Sequence, residues 1–189
     1  MLLRHRVYGA VLAASAIAAA GASVALAGCS NGSKYQLNQQ IVTTQTATCH
    51  ARHIIPNDPQ AWLPDPTCTP GATDGGIPAA QLCPHAYTRP YRPPTDYTNP
   101  LKRQQMMAYG FTGAMATFEG DHLISLELGG APRDPKNFWP EPHQSPNEKD
   151  KVEDRAHDDV CKGIISLADA QRRIATNWYQ FGLDLKVLP

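Results

Sequence analysis

Asp121-His122-Leu123-Ile124-Ser125-Leu126-Glu127-Leu128-Gly129-Gly130, followed by Asn137-Phe138-Trp139-Pro140-Glu141-Pro142, is where the sequence concentrates side chains able to do chemistry. A histidine can take or give a proton near neutral pH, and a carboxylate offers hard oxygens to a cation. An adjacent Asp and His mean little alone, because such pairs arise by chance in surface turns. The ensemble is more specific: Asp-His entering an apolar segment, a Gly-Gly turn, an asparagine, then a helix with a legible start. It reads as a hairpin followed by a helix, with polar residues at each joint.

The elements that must position these residues can be read around them. Asp121–Leu128 suggests a short extended segment closed by Gly129-Gly130, and Asn137-Phe138-Trp139 a second short strand or turn. Ser145-Pro146-Asn147-Glu148 offers a serine N-cap, proline at the first helical position and glutamate three residues after the cap. That helix is expected to run to about Cys161 and stop at Gly163. Ser166-Leu167-Ala168-Asp169 opens a last helix, with Leu167, Ala170, Ile174 and Trp178 on its core face. Leu101–Tyr109 reads as a short helix ended by Gly110. Glu127 alternates with Leu126 and Leu128 and reads as solvent-facing, and Glu153, Asp154, Asp158 and Asp159 as a solvated helix face. Trp139 and Trp178 read as core. Arg89 and Arg92 are candidates for phosphate contact, with salt bridges to the acidic helices as the alternative.

The segment resembles the ββα-metal fold of HNH endonucleases, in the bacterial and phage subgroup typified by Asp-His-Leu-Ile…Leu-Gly-Gly…Asn-Leu-Trp-Pro-Glu. Further matches are Thr69-Pro70-Gly71, Arg92-Pro93-Pro94, Tyr97-Thr98-Asn99, Leu101-Lys102, Tyr109-Gly110, Lys149-Asp150, Val160-Cys161 and Ala175-Thr176-Asn177-Trp178. The similarity spans roughly Leu63 to Phe181. It implies an α+β fold: a small hairpin-plus-helix core, an additional C-terminal helix and a Pro/Gly-rich N-terminal lobe. It also implies metal-assisted phosphodiester hydrolysis of DNA or RNA. His122 would be the general base, and Asp121 would bind a divalent metal, Mg²⁺ or Mn²⁺. Asn137 would hold the hairpin loop and help orient the histidine. The stretch between Trp139-Pro140-Glu141-Pro142 and Lys149-Asp150 is several residues shorter than in the relatives. His143, Asn147 and Asp150 are the candidates for a further metal ligand, and Asn147, in the first helical turn, is the choice. The resemblance leaves room for an immunity or inhibitor protein as a partner. A catalytically inactive envelope lipoprotein, keeping the fold as a binding or structural module, is the alternative reading.

The ends and the charge bound these readings. Met1–Arg6 and the apolar run Val7–Ala27 have the form of a secretory signal, and Leu26-Ala27-Gly28-Cys29 resembles a bacterial lipobox with Cys29 as the lipidated residue. Residues 1–28 are therefore expected to be removed. Residues 29–48 would be a tether from the membrane, 49–100 a Pro/Gly-rich lobe, and 101–185 the core and C-terminal helices of the same domain. The chain carries 17 basic and 17 acidic residues; without Arg4 and Arg6 the balance is 15 to 17, a net of −2. That is not the footprint of a protein held to nucleic acid by charge alone, so any such chemistry must rest on a local site. Cys49, Cys68, Cys83 and Cys161 remain in the exported chain, lack any Cys-x-x-Cys spacing, and read as two disulfides with three possible connectivities. Relatives often carry cysteine at the positions of Cys83 and Cys161, so the resemblance implies Cys83–Cys161 and leaves Cys49–Cys68.

Overall fold

The structure, a computed structural model, describes residues 49–55, 58–59, 61–84 and 87–189. The expected signal segment, Cys29 and the expected tether lie outside the described residues. Chain order is β1 (Arg52–His53), β2 (Trp62–Leu63), α1 (Ala79–Leu82), α2 (Thr95–Ala108), β3 (Phe118–His122), β4 (Phe138–Pro142), α3 (Glu148–Cys161) and α4 (Leu167–Asp184). The fold is α+β, with two small antiparallel sheets, β1–β2 and β3–β4.

The hairpin is shorter than the alternation suggests. β3 pairs with β4 in the register Phe118↔Pro142 to His122↔Phe138. It stops at His122, and Leu126–Leu128 forms a 3-10 turn. Leu123, Ile124, Leu126 and Leu128 are all buried, which a two-residue period would not allow. Glu127 is correspondingly half-buried rather than solvent-facing. The Gly-Gly pair has two separate causes. Gly129 has φ +72°, and a Cβ on Gly130 would lie 1.8 Å from the Ile124 carbonyl oxygen.

α2 begins at Thr95, six residues before the expected start, and carries Pro100 inside it. Proline there removes one ladder hydrogen bond. Tertiary contact anchors the first turn instead: the Tyr97 hydroxyl donates to the Arg133 carbonyl at 2.7 Å, and Arg133 lies over the Tyr97 ring. α3 starts two residues later than expected, with Asn147 as N-cap in place of Ser145 and Asp150 closing the capping box in place of Glu148. It ends at Cys161 as expected. α4 has Ser166 as its N-cap, and Ala170, Ile174 and Trp178 are buried. Asn177 departs from helical geometry, and its Oδ1 accepts from the Gln180 N–H at 3.0 Å, recapping the last turns.

The main core is the seam between α3 (Val152, Ala156, Val160) and α4 (Ala170, Ile174, Trp178, Phe181), closed by Leu63, Ile124 and Leu128. Each of the larger side chains contributes about 1.5–3 kcal/mol by burial. The acidic residues of α3 are not uniformly solvated. Asp159 is buried and paired with Arg155 at 2.9 Å, and Glu153 turns inward to Lys149.

Cys49 is bonded to Cys68 and Cys83 to Cys161. Such bridges belong to an oxidising, extracytoplasmic environment. Among the described residues no helix is long and apolar enough to cross a membrane. The two bridges close loops of very different length, with sequence separations of 19 and 78. On chain entropy, replacing the Cys83–Cys161 pair by alanines is expected to cost about 1.2 kcal/mol more than replacing Cys49–Cys68. Urea unfolding of the two double variants checks this ordering.

Candidate active site

Alternation along β3 and β4 places Glu119, Asp121, Trp139 and Glu141 on one face of the hairpin, since Glu119 lies opposite Glu141 and Asp121 opposite Trp139. The first two turns of α3 bring Lys149, which reaches Asp121, and Glu153, which pairs with Lys149, to that face. His122 ends β3 and packs edge-on against Phe138, ring centroids 5.4 Å apart.

His122 is 7 % exposed. Its Nε2 lies 3.0 Å from the Pro132 carbonyl oxygen. A carbonyl only accepts, so Nε2 carries the proton and the neutral ring keeps its lone pair on Nδ1. Nδ1 has no hydrogen-bond partner among the described residues and is not fully enclosed. Burial lowers the pKa of this histidine below 6.5, and Arg92 and Lys149 act in the same direction. The Pro132 hydrogen bond and Asp121 oppose them without reversing the sign. The result is a neutral imidazole in a fixed tautomer.

The loop that supplies the Pro132 carbonyl is tied by Asn137, which is 0 % exposed. Its Oδ1 accepts from the Ile124 N–H at 2.9 Å and from the Ala72 N–H at 3.4 Å. Its Nδ2 donates to the carbonyls of Ile124 and Ala131 at 3.0 and 3.3 Å. Asn137 therefore holds the loop and orients His122 indirectly, without reaching a substrate. Thr69-Pro70-Gly71 and Tyr109 brace the same region: the Gly71 N–H donates to the Lys136 carbonyl, and Thr69 Oγ1 meets the Tyr109 hydroxyl at 2.8 Å. Asn137→Ala leaves the buried Ile124 N–H and C=O unpaired and is expected to destabilise the fold by about 2–3 kcal/mol. Thermal melts and histidine NMR shifts of the variant check both the loss and the loosening of His122.

Asp121 is placed beneath His122, but its oxygens are already engaged. Oδ2 accepts from Trp139 Nε1 at 2.9 Å, and Oδ1 accepts from Lys149 Nζ at 2.9 Å. Lys149 is 1 % exposed. Its ammonium also donates to the His122 carbonyl at 3.2 Å and to Glu153 Oε1. Asn147, expected as a metal ligand, is instead a helix cap: Oδ1 accepts from the N–H groups of Lys149 and Asp150 at 2.8 and 3.2 Å, and Nδ2 donates to Glu119 Oε2 at 3.0 Å. Asp150 is taken by the same capping box, accepting from the Asn147 N–H and from Ser145 Oγ. His143, the remaining candidate, sits at φ 82° in a bridge to Phe118. The residues at Asp121 therefore do not fit the expected Mg²⁺ or Mn²⁺. Among the described residues, the group whose ligand atoms lie within 4.8 Å of one another and could hold a metal ion is Cys83, His157 and Cys161. There the two sulfurs are joined in a disulfide, so no thiolate is offered.

The carboxyls around Lys149 are perturbed by burial. Burial, with Asp121 and Asp150 adding, pushes Glu119 up to about 7. Glu141, 1 % exposed and with no hydrogen-bond partner on either oxygen, is raised well above the ordinary range by burial, and Asp121 adds to it. Burial pushes Glu153 up to about 8, although Lys149 beside it pulls the other way. For Lys149 burial opposes the charge, but Asp121, Glu153 and Glu141 outweigh it and raise its pKa well above the usual value. A carboxyl whose folded pKa exceeds its unfolded value contributes fully below the unfolded value, and the contribution is lost as pH rises through the folded one. For Glu119 the window runs from 4.5 to about 7. Stability is expected to fall across that window, and Glu119→Gln, which keeps an acceptor for Asn147, is expected to flatten the fall in melts taken from acid to neutral pH.

Arg92 is exposed and forms no salt bridge among the described residues, although its charge is felt at both His122 and Glu119. Arg89 is exposed and likewise pairs with no acidic helix there. A depression of about 240 Å³ lined by Thr73, Asp74, Gly129 and Gln171 contains neither His122 nor its partners. His53 stacks on Trp62, with ring centroids 4.5 Å apart. The features missed by sequence reasoning are Lys149, Glu153 and the Glu119–Glu141 pair. The only signal for Lys149 was its place in Lys149-Asp150. For the carboxyls it was the two-residue spacing of Glu119 with Asp121. Compared with protein-family models, curated proteins and solved structures, the chain finds no match.

Proposed function

We infer that this protein hydrolyses phosphodiester bonds of DNA or RNA outside the cytoplasm, with His122 as general base. The observation that carries the reading is the imidazole itself: Nε2–H held by the Pro132 carbonyl, Nδ1 open, and a pKa lowered so that the base form is present at neutral pH. A water on Nδ1 gives its proton to the ring as its oxygen attacks phosphorus; the P–O bond to the leaving oxygen breaks, and solvent protonates that oxygen. Arg92, exposed and near enough for its charge to act on the histidine, supplies a guanidinium for the phosphate. The resemblance of Asp121–Gly130 and Asn137–Pro142 to HNH nucleases supports the substrate class. The lipobox-like Leu26–Cys29 supports a membrane anchor on the outer side of the exporting membrane.

The test is cleavage of plasmid, single-stranded DNA and RNA by the full chain, in Mg²⁺, Mn²⁺ or EDTA, beside His122→Ala. Cleavage that the variant lacks supports the enzyme. Equal products from both proteins, or none from either, would leave the second reading, a silent binding or structural module. The engagement of Asp121 and Asn147 by protein partners is what favours that alternative.

A further inference from the structure

We propose that the Lys149 ammonium is the resident cation of the seam between the β3–β4 hairpin and α3, and that it keeps divalent metal out of that seam. The corollary rests on the function inferred above: hydrolysis at His122 runs without an added metal ion.

The argument begins with valence. An ammonium has three N–H donors, and Lys149 places all three on acceptors: Asp121 Oδ1 at 2.9 Å, the His122 carbonyl at 3.2 Å, and Glu153 Oε1. Nothing is left over, and the side chain is closed off from water. A buried ammonium with every proton satisfied is a cation site already filled. It is tethered, moreover, because Lys149 lies in the first turn of α3, which the reciprocal Asn147–Asp150 capping box fixes.

The remaining donors point the same way. The second Asp121 oxygen accepts from the indole N–H of Trp139, a fully buried ring. A divalent ion on Asp121 Oδ1, at a metal–oxygen distance of about 2.1 Å, would stand no more than about 5 Å from the ammonium, which lies 2.9 Å from that oxygen. Two like charges that close in a dry seam repel strongly. Of the helix side chains that would complete a coordination shell, Asn147 has its one oxygen committed to capping, and Asp150 gives Oδ2 to the same box, accepting from the Asn147 N–H and from Ser145 Oγ. Lys149 is thus a positioning residue. It touches no substrate, but it holds Asp121 against the strand and the His122 carbonyl against the helix, and adds positive potential at the imidazole.

Removing the charge while keeping the chain length converts the prediction into a gain. In Lys149→Met, Asp121 and Glu153 face each other without a cation, and a divalent ion becomes the natural substitute. The experiment measures Mn²⁺ binding by the loss of the free-ion paramagnetic resonance signal. It uses the chelator-treated full chain, its Asp121→Asn variant, Lys149→Met, and Lys149→Met with Asp121→Asn. The expected result is that wild type and Asp121→Asn leave the same free Mn²⁺ signal. Lys149→Met takes up one further equivalent and melts higher with Mn²⁺, and the added Asp121→Asn abolishes both. One equivalent bound by wild type and lost in Asp121→Asn would show that the lysine yields to the metal, and overturns the proposal. That comparison stands even if Lys149→Met does not fold. Cleavage by wild type is expected to be unchanged in EDTA. Cleavage that stops in EDTA and returns with Mg²⁺ overturns the corollary. If no substrate is cut under any condition, the nuclease reading fails alone, and the Mn²⁺ measurements still decide the resident cation.

Discussion

Replacing His122 with alanine is expected to lower the rate of phosphodiester cleavage by about 10²–10⁴, the range for loss of a positioned general base. The fold should survive, because the substitution removes a single hydrogen bond, to the Pro132 carbonyl, worth roughly 1 kcal/mol. A rate loss of that size with a melting temperature lowered by only a few degrees would separate chemistry from stability. The pH profile carries a second signature. A base works only when deprotonated, and burial lowers the His122 pKa below 6.5. The acid limb of kcat/KM is therefore expected to lie below the position of an ordinary histidine, with a plateau through neutral pH. Removing the nearby positive charge, as in Arg92→Gln, should move that limb upward, since Arg92 is one of the groups that lower the pKa. An acid limb that stayed in place in Arg92→Gln would detach Arg92 from the site.

Replacing Lys149 with alanine is expected to destabilise the protein by about 3–5 kcal/mol, the usual cost of stripping one partner from a buried ion pair. Against a total of about 5–15 kcal/mol for a domain, that is a large share. The mechanism makes a sharper prediction than the size alone. Most of the cost comes from leaving Asp121 buried without a counter-charge and Glu153 without its hydrogen-bond donor, so adding Asp121→Asn and Glu153→Gln to Lys149→Ala should recover part of it. Urea unfolding of the single and triple variants measures the recovery. The lysine's own titration does not intrude. Its folded pKa lies above 10.5, so its contribution is fully present below that pH and is lost only as pH rises through the folded value.

The parts of this molecule written locally in the chain were readable from it. The C-terminal boundary of α3 follows from Gly163 and the start of α4 from Ser166, because caps and stops act over one turn. The helical period of Ala170, Ile174 and Trp178 marked a buried face, and the structure buries all three. The Gly-Gly pair and Asn137 were recognisable as a turn and its clamp. Local rules failed where distant chain competes with them. Leu126-Glu127-Leu128 alternates like a strand but turns, which buries Leu128 in the core of α3 and α4 and encloses Leu126 as well. Pro100 should end a helix, yet α2 runs through it, since Tyr97 is anchored on a loop more than thirty residues away.

The site divides along the same line. The sequence by itself determined where side chains able to do chemistry are concentrated, at Asp121 and His122 before a legible helix start, and that four cysteines of an exported chain would form two disulfides, with the pairing left open. These are matters of residue type, spacing and compartment. Only the tertiary structure decided what each group can do. His122 is left with its lone pair on Nδ1 because a carbonyl ten residues away fixes its tautomer. Asp121 became the partner of a lysine rather than of a metal because the first turn of α3 lowers Lys149 onto the hairpin face. Whether a carboxylate binds an ammonium or a divalent ion is settled by which donors reach it in the dry interior, and that distance is not written in any stretch of the chain.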